Sequence, residues 1–229
     1  MGAYVEECLK RLQTDCLDLL QLHCPPPEAY YRPEIWGALD ELVRQGKLRH
    51  YGVSVRNVEE ALKAIEFPAM AVVQIIFNVF RHRPAELLFA QALRRQVGIV
   101  VRVPLASGLL TGKMKADTRF TADDHRQFNR QGQVFDRGET FAGVDFDTGL
   151  RAVEELRALL PAGVSMAQFA LRWILMFEAV STTIPGAKSP AQVEDNVSAS
   201  QVPPLSEAQM QGVRDLYDRL IREQVHARW

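Results

Sequence analysis

Short apolar segments alternate along this chain with segments of helical period, and that alternation restricts the fold more than any other feature. Strand-like runs cover Cys16–His23, Arg49–Val55, Ala69–Phe77, Gly98–Val103 and Val180–Ile184. Between them, Glu34–Gln45 carries Trp36, Leu39, Leu42 and Val43 on one helical face and stops at Gly46. Asn57 opens a further helix, with Glu60 three residues on as in a capping box. Helical segments are also expected over Met1–Arg11, Pro84–Arg95, Thr148–Leu160, Ser165–Phe177, Pro190–Ser200 and Glu207–Gln224. Repeated β-α units predict a parallel α/β sheet with helices outside it, either doubly wound or part of a (β/α)8 barrel. The stretch from Gly112 to Phe146 has no clean period and is expected to be a functional or mobile excursion.

With 229 residues and 47 % hydrophobic content, the chain can bury one sizeable core, and residues 1–229 are expected to form a single domain. The 27 basic and 28 acidic residues are intermixed, which leaves no electrostatic footprint for nucleic acid or an anionic membrane. No apolar run approaches the roughly 18 residues of a membrane span. No signal peptide opens the chain, and Glu6 spoils a myristoylation motif at Met1-Gly2. A cytoplasmic location is the expectation. Cys8, Cys16 and Cys24 form no C-x-x-C pair and are expected to be reduced thiols.

Chemistry-bearing residues gather at the carboxyl ends of the strands, where α/β folds bind ligands. The run LDLLQLH ends on His23, and Pro25–Pro27 forbid its continuation. Taken alone, that stretch fits an imidazole satisfied by a neighbour. The company of Ser54, Asn78, Arg102 and Pro185-Gly186 at other strand ends brings a functional role level with that reading.

Two loops could receive phosphate. PLASGLLTGK, Pro104–Lys113, is one residue too short for a Walker motif and has Met114 where Ser or Thr must bind magnesium. It can still present backbone N–H groups to an anion, or be a simple tight turn. In IPGAKSPAQ, Ser189 is a natural N-cap, Pro190 suits the first helical position and Gln192 can complete a capping box. The helix start, with Lys188 beside it, is suited to an anion or equally to a well-capped surface helix.

Together these segments resemble the aldo-keto reductases, over nearly the whole chain. The likeness rests on LQTD before LDLLQLH, on Gly46-Lys47 with Gly52-Val53-Ser54, on Gln74 with Asn78, on PLASGLLTGK and on IPGAKSPAQVEDN. The resemblance implies an NADP-dependent oxidoreductase that reduces aldehydes or ketones, so the expected partner is a small-molecule carbonyl substrate. It implies that His23 polarises and orients the carbonyl, and that Ser54 and Gln74 hydrogen-bond the nicotinamide carboxamide. Arg102 falls where many members stack an aromatic ring, and a guanidinium plane can stack there instead. Leu105, Ser107, Gly108 and Lys113 match the pyrophosphate loop. Gly186, Lys188, Ser189 and Gln192 match the 2′-phosphate site. Asp195 and Asn196 match the adenine pair, although the family more often has Glu before that Asn.

The departure from the family lies at the amino terminus. The family's catalytic set adds an Asp, a Tyr acid and a Lys from its first three β-α units, and Met1–Glu7 already matches the helix leading into the fourth strand. The expectation is therefore an incomplete barrel of about five parallel strands, family strands 4 to 8. Roughly 80 to 100 residues would be lacking, at about 30 residues per unit. The preferred reading is an incomplete reductase whose present chain is inactive alone. The alternatives are a non-catalytic NADP- or partner-binding protein, and a remnant that associates through its open sheet edge. Tyr30 and Tyr31 are not expected to replace the tyrosine.

Overall fold

The computed structural model describes all 229 residues. Helix α1 (Gly2–Leu12) precedes β1 (Leu17–His23), and α2 (Pro33–Arg44) leads to β2 (Leu48–Ser54). Helix α3 (Val58–Ala64) leads to β3 (Met70–Ile76), and α4 (Leu88–Arg94) leads to β4 (Gly98–Arg102). A long connection carries α5 (His125–Phe128), α6 (Phe146–Leu156) and α7 (Met166–Ile174) before β5 (Val180–Thr183). Helices α8 (Pro190–Ser198), α9 (Glu207–Leu216) and α10 (Arg222–Val225) follow.

The five strands form one parallel sheet in the order β1-β2-β3-β4-β5. Right-handed crossovers that always step in the same direction put their helices on one face. A doubly wound sheet needs a reversal of strand order, and there is none, so that alternative falls. The helix-covered face carries Tyr51, Val53, Val73, Ile75, Ile99 and Val101, none more than 1 % exposed. On the opposite face Leu19 and His50 are exposed, while Gln21, Val72, Gln74 and Val100 are half-buried. Beneath the helices Phe77 meets Trp173, Phe89 and Phe177 with ring centroids 4.7–4.9 Å apart. Burying each such ring contributes about 2–3 kcal/mol, enough to fix how α4 and α7 sit on the sheet.

Several expected elements are interrupted. The helix over Pro84–Arg95 is a 3-10 turn at Arg83–Ala85 followed by α4, because Leu87, with φ −130°, resets the chain between them. The terminal helix contains a π-helical turn at Tyr217–Ile221, a widening that keeps both residues buried. The Gly112–Phe146 excursion is packed. Its buried Asn129 accepts at Oδ1 from the N–H groups of Val134 and Phe135, at 2.8 and 2.9 Å. The Arg130 guanidinium lies 5.0–5.9 Å from the rings of Phe120, Phe141 and Phe146. The three cysteines are half-buried and unbridged.

Candidate active site and nucleotide-binding residues

In a parallel sheet, residues in register project to the same side. His23 is in register with Ser54, and Ser54 with Gln74, so the ends of β1, β2 and β3 present one continuous row. Gln74 pairs with Val100 and Ile76 with Arg102, which puts Arg102 on the same face one pleat further along. The imidazole of His23 is exposed and makes no hydrogen bond, so of the two readings that the sequence left level, the ring satisfied by a neighbour is not what the structure has. Its strand ends abruptly because Cys24 takes a left-handed φ of 47° and Pro25–Pro27 follow. Ser54 is buried, its hydroxyl 3.6 Å from the Cys24 thiol. The Gln74 side-chain amide donates to Oε1 of the Gln21 side chain at 3.4 Å, on the same face.

Arg102 is 8 % exposed and strongly held. Its Nη1 donates to the Glu139 carboxylate, at 2.5 Å to Oε1, and its Nη2 to the Val55 carbonyl at 2.9 Å. The Nε is buried without a partner. Glu139 carries no signal in the sequence: it lies in the aperiodic excursion, and no local pattern ties it to a strand end 37 residues earlier.

After β4 the chain turns tightly, with left-handed φ at Ala106, Ser107 and Gly108. The Ser107 hydroxyl donates to the Glu139 carbonyl and accepts from the Phe141 N–H, so it is already engaged. Leu105 is half-buried against the core, and Lys113 is exposed without an ion pair. The structure adds Arg126 to this turn, its Nη1 3.3 Å from the Ser107 carbonyl. Asp124 grips Arg126 and is thereby held down to about 2.

At the other loop, Gly186, Lys188 and Ser189 are exposed, and a Cβ on Gly186 would meet nothing within 4 Å. Ser189 caps α8 through the Gln192 N–H at 3.4 Å. The expected capping box is not closed, because the Gln192 side chain instead accepts from the Lys188 N–H at 2.6 Å. Asn196 reaches back to the Gly186 carbonyl at 3.4 Å, while Asp195 accepts from Gln168 of α7 at 2.8 Å.

None of Tyr30, Tyr31 and Tyr51 hydrogen-bonds to a residue of the row. Tyr30 is buried with its hydroxyl unpartnered, and burial, reinforced by Glu60, pushes its pKa well above the ordinary phenol value. Tyr31 is 71 % exposed beside Lys63. Tyr51 faces the helices and donates to Asp40 at 2.8 Å.

The protein-family model described as the aldo/keto reductase family matches residues 2–218. The aldo-keto reductase YhdN of Bacillus subtilis is 32 % identical over 192 residues, covering 83 % of this chain and 55 % of that protein. The aldo-keto reductase yakc [NADP(+)] of Schizosaccharomyces pombe is 27 % identical, covering 94 % of this chain and 62 % of that protein. The structure of the glycerol dehydrogenase AKR11B4 from Gluconobacter oxydans superposes with a TM-score of 0.76 at 29 % identity, over 96 % of this chain and 64 % of that one. The chain thus spans less than two thirds of the length of each of these relatives. No helix of the chain is long and apolar enough to cross a membrane. On the match over residues 2–218, with five parallel strands and their outer helices in the corresponding order, the chain belongs to the aldo/keto reductase family.

Proposed function

We propose that the chain carries the nucleotide-binding face of a cytoplasmic, NADP-dependent reductase of aldehydes or ketones, built on a barrel of which it forms an arc of five strands. The observation that carries this reading is the row His23–Ser54–Gln74, in register across three strand ends, with Arg102 one pleat on. Two features fit a dinucleotide: the orphaned, buried Nε of Arg102 beside that row, and the open ground at Gly186 before an exposed helix start. Ser54 and Gln74 would hold the nicotinamide carboxamide, and Arg102 would cover the ring. Ser107, Gly108, Leu105 and Lys113 would border the pyrophosphate. Gly186, Lys188, Ser189 and Gln192 would hold the 2′-phosphate, and Asp195 and Asn196 the adenine. The bound nucleotide supplies a hydride; His23, exposed and unpartnered, would donate a hydrogen bond to the carbonyl oxygen.

Reduction also needs a proton delivered to that oxygen, and a positioned acid contributes about 10²–10⁴ in rate. Tyr30, Tyr31 and Tyr51 are disposed elsewhere, which favours nucleotide binding without turnover by these 229 residues. The test combines a fluorescence titration with NADPH and a steady-state assay on an activated aromatic aldehyde. Binding with background turnover is the expected result. Turnover abolished by His23→Ala would overturn the inactivity, and absence of binding would overturn the nucleotide reading.

A further inference from the structure

The Arg102–Glu139 pair bears on which oxidation states of the nucleotide the site can accept. This inference rests on the nucleotide reading above. The guanidinium reaches from the end of β4 to the Val55 carbonyl, beyond the end of β2, and so spans the strand ends beside Ser54 and Gln74. It is buried, and its Nη1 is engaged by Glu139. Behind it lies a second opposed pair of charges. Arg81 sits over the Trp229 ring at 4.3 Å, and Asp136 accepts from the Trp229 indole N–H at 2.9 Å. The four charges sum to zero.

The reduced nicotinamide ring is neutral and the oxidised ring carries a positive charge. A buried guanidinium beside it would repel only the oxidised form, and a given pair of charges interacts several-fold more strongly inside a protein than in water. An aromatic ring at this position would carry no such charge. The site needs an anion in contact with Arg102 to accept both forms, and Glu139 is that anion. We propose that Glu139 is a positioning and charge-balancing residue that keeps the site permissive to NADP⁺; without it the site selects NADPH.

Glu139→Gln preserves shape and a hydrogen-bond acceptor while removing the charge. For this variant the Kd for NADP⁺ should rise about ten-fold or more relative to that for NADPH. Arg102→Gln, which leaves the carboxylate, should shift the ratio the opposite way, and the double variant should return it near the wild-type value. Titrations of the purified chain with NADP⁺ and with NADPH read this directly, without turnover. Equal weakening of both forms by Glu139→Gln would show a merely structural role and overturn the inference, leaving the nucleotide reading intact. Failure of the wild-type chain to bind either form would overturn both. An unchanged ratio in Glu139→Gln and Arg102→Gln alike would overturn the inference alone.

Discussion

The imidazole of His82 lies flat against the ring of Tyr217, with centroids 3.9 Å apart and planes 13° from parallel. Trp173 stacks on it as well, at 4.7 Å. Its Nε2 is buried without a partner, and burial pulls its pKa down to about 3. In the unfolded chain the ring takes a proton near pH 6.5, whereas the folded chain resists until about pH 3. Stability from this group is therefore complete above pH 6.5 and declines as pH falls through that window. The loss between pH 7 and pH 5 should be at most about 2 kcal/mol. His82→Phe keeps an aromatic ring in the stack and should flatten the dependence. Urea midpoints of both proteins at the two pH values check this, and equal losses in both would refute it.

Lys188 stands exposed beside the α8 start and forms no ion pair. A 2′-phosphate there would meet a cation and helix N–H groups that NADH cannot use. Lys188→Glu should weaken NADPH binding about ten-fold, or about 1.4 kcal/mol, with NADH nearly unchanged. Parallel titrations decide it; equal weakening of both would remove Lys188 from the site.

Gly143 has φ +83°, and a Cβ there would lie 2.7 Å from carbons of the Trp229 ring. Gly143→Ala should expel that indole from its place over Arg81 and cost about 2–3 kcal/mol through backbone strain and overpacking. A red-shifted tryptophan emission with a lower denaturation midpoint is the expected signature, and wild-type values for both would contradict it.

Asn129 holds the excursion by satisfying two backbone N–H groups. Asn129→Ala strands both donors, at about 1–3 kcal/mol each. Limited proteolysis should then cut within Val134–Thr140 while amide exchange in β3 and β4 stays slow. Uniform loss of protection would mean that the excursion and the sheet open together.

How much of this was legible in the sequence differs by element. Strand positions are legible because each apolar run is bounded by a helix or a turn: Leu17, Met70 and Val180 open strands within one residue of the starts of their runs. The strand-end places of His23 and Ser54 could be anticipated, since each closes or nearly closes a strand-like run, whereas Gln74 lies inside its run and is singled out only by the family resemblance. The Arg102–Glu139 pair could not, because it joins a strand end to an aperiodic stretch, and only tertiary packing brings them together. The Gln192 side chain departs from the expected capping box for a subtler reason: the Ser189 and Lys188 N–H groups are neighbours, and the loop geometry settles which one it reaches.

The unbroken strand order has a consequence for how the chain is made. Each of β2, β3 and β4 pairs with the strand synthesised just before it across a short connection, so these units can dock one at a time as they leave the ribosome. Strand β5 is different: it joins β4 only after the whole stretch from Arg102 to Val180 has been translated, and closing that longer loop costs more entropy. The helix start with Lys188 and Ser189 follows β5 directly. The half of the candidate site that would read the 2′-phosphate is therefore assembled last, on a sheet whose other half is already in place.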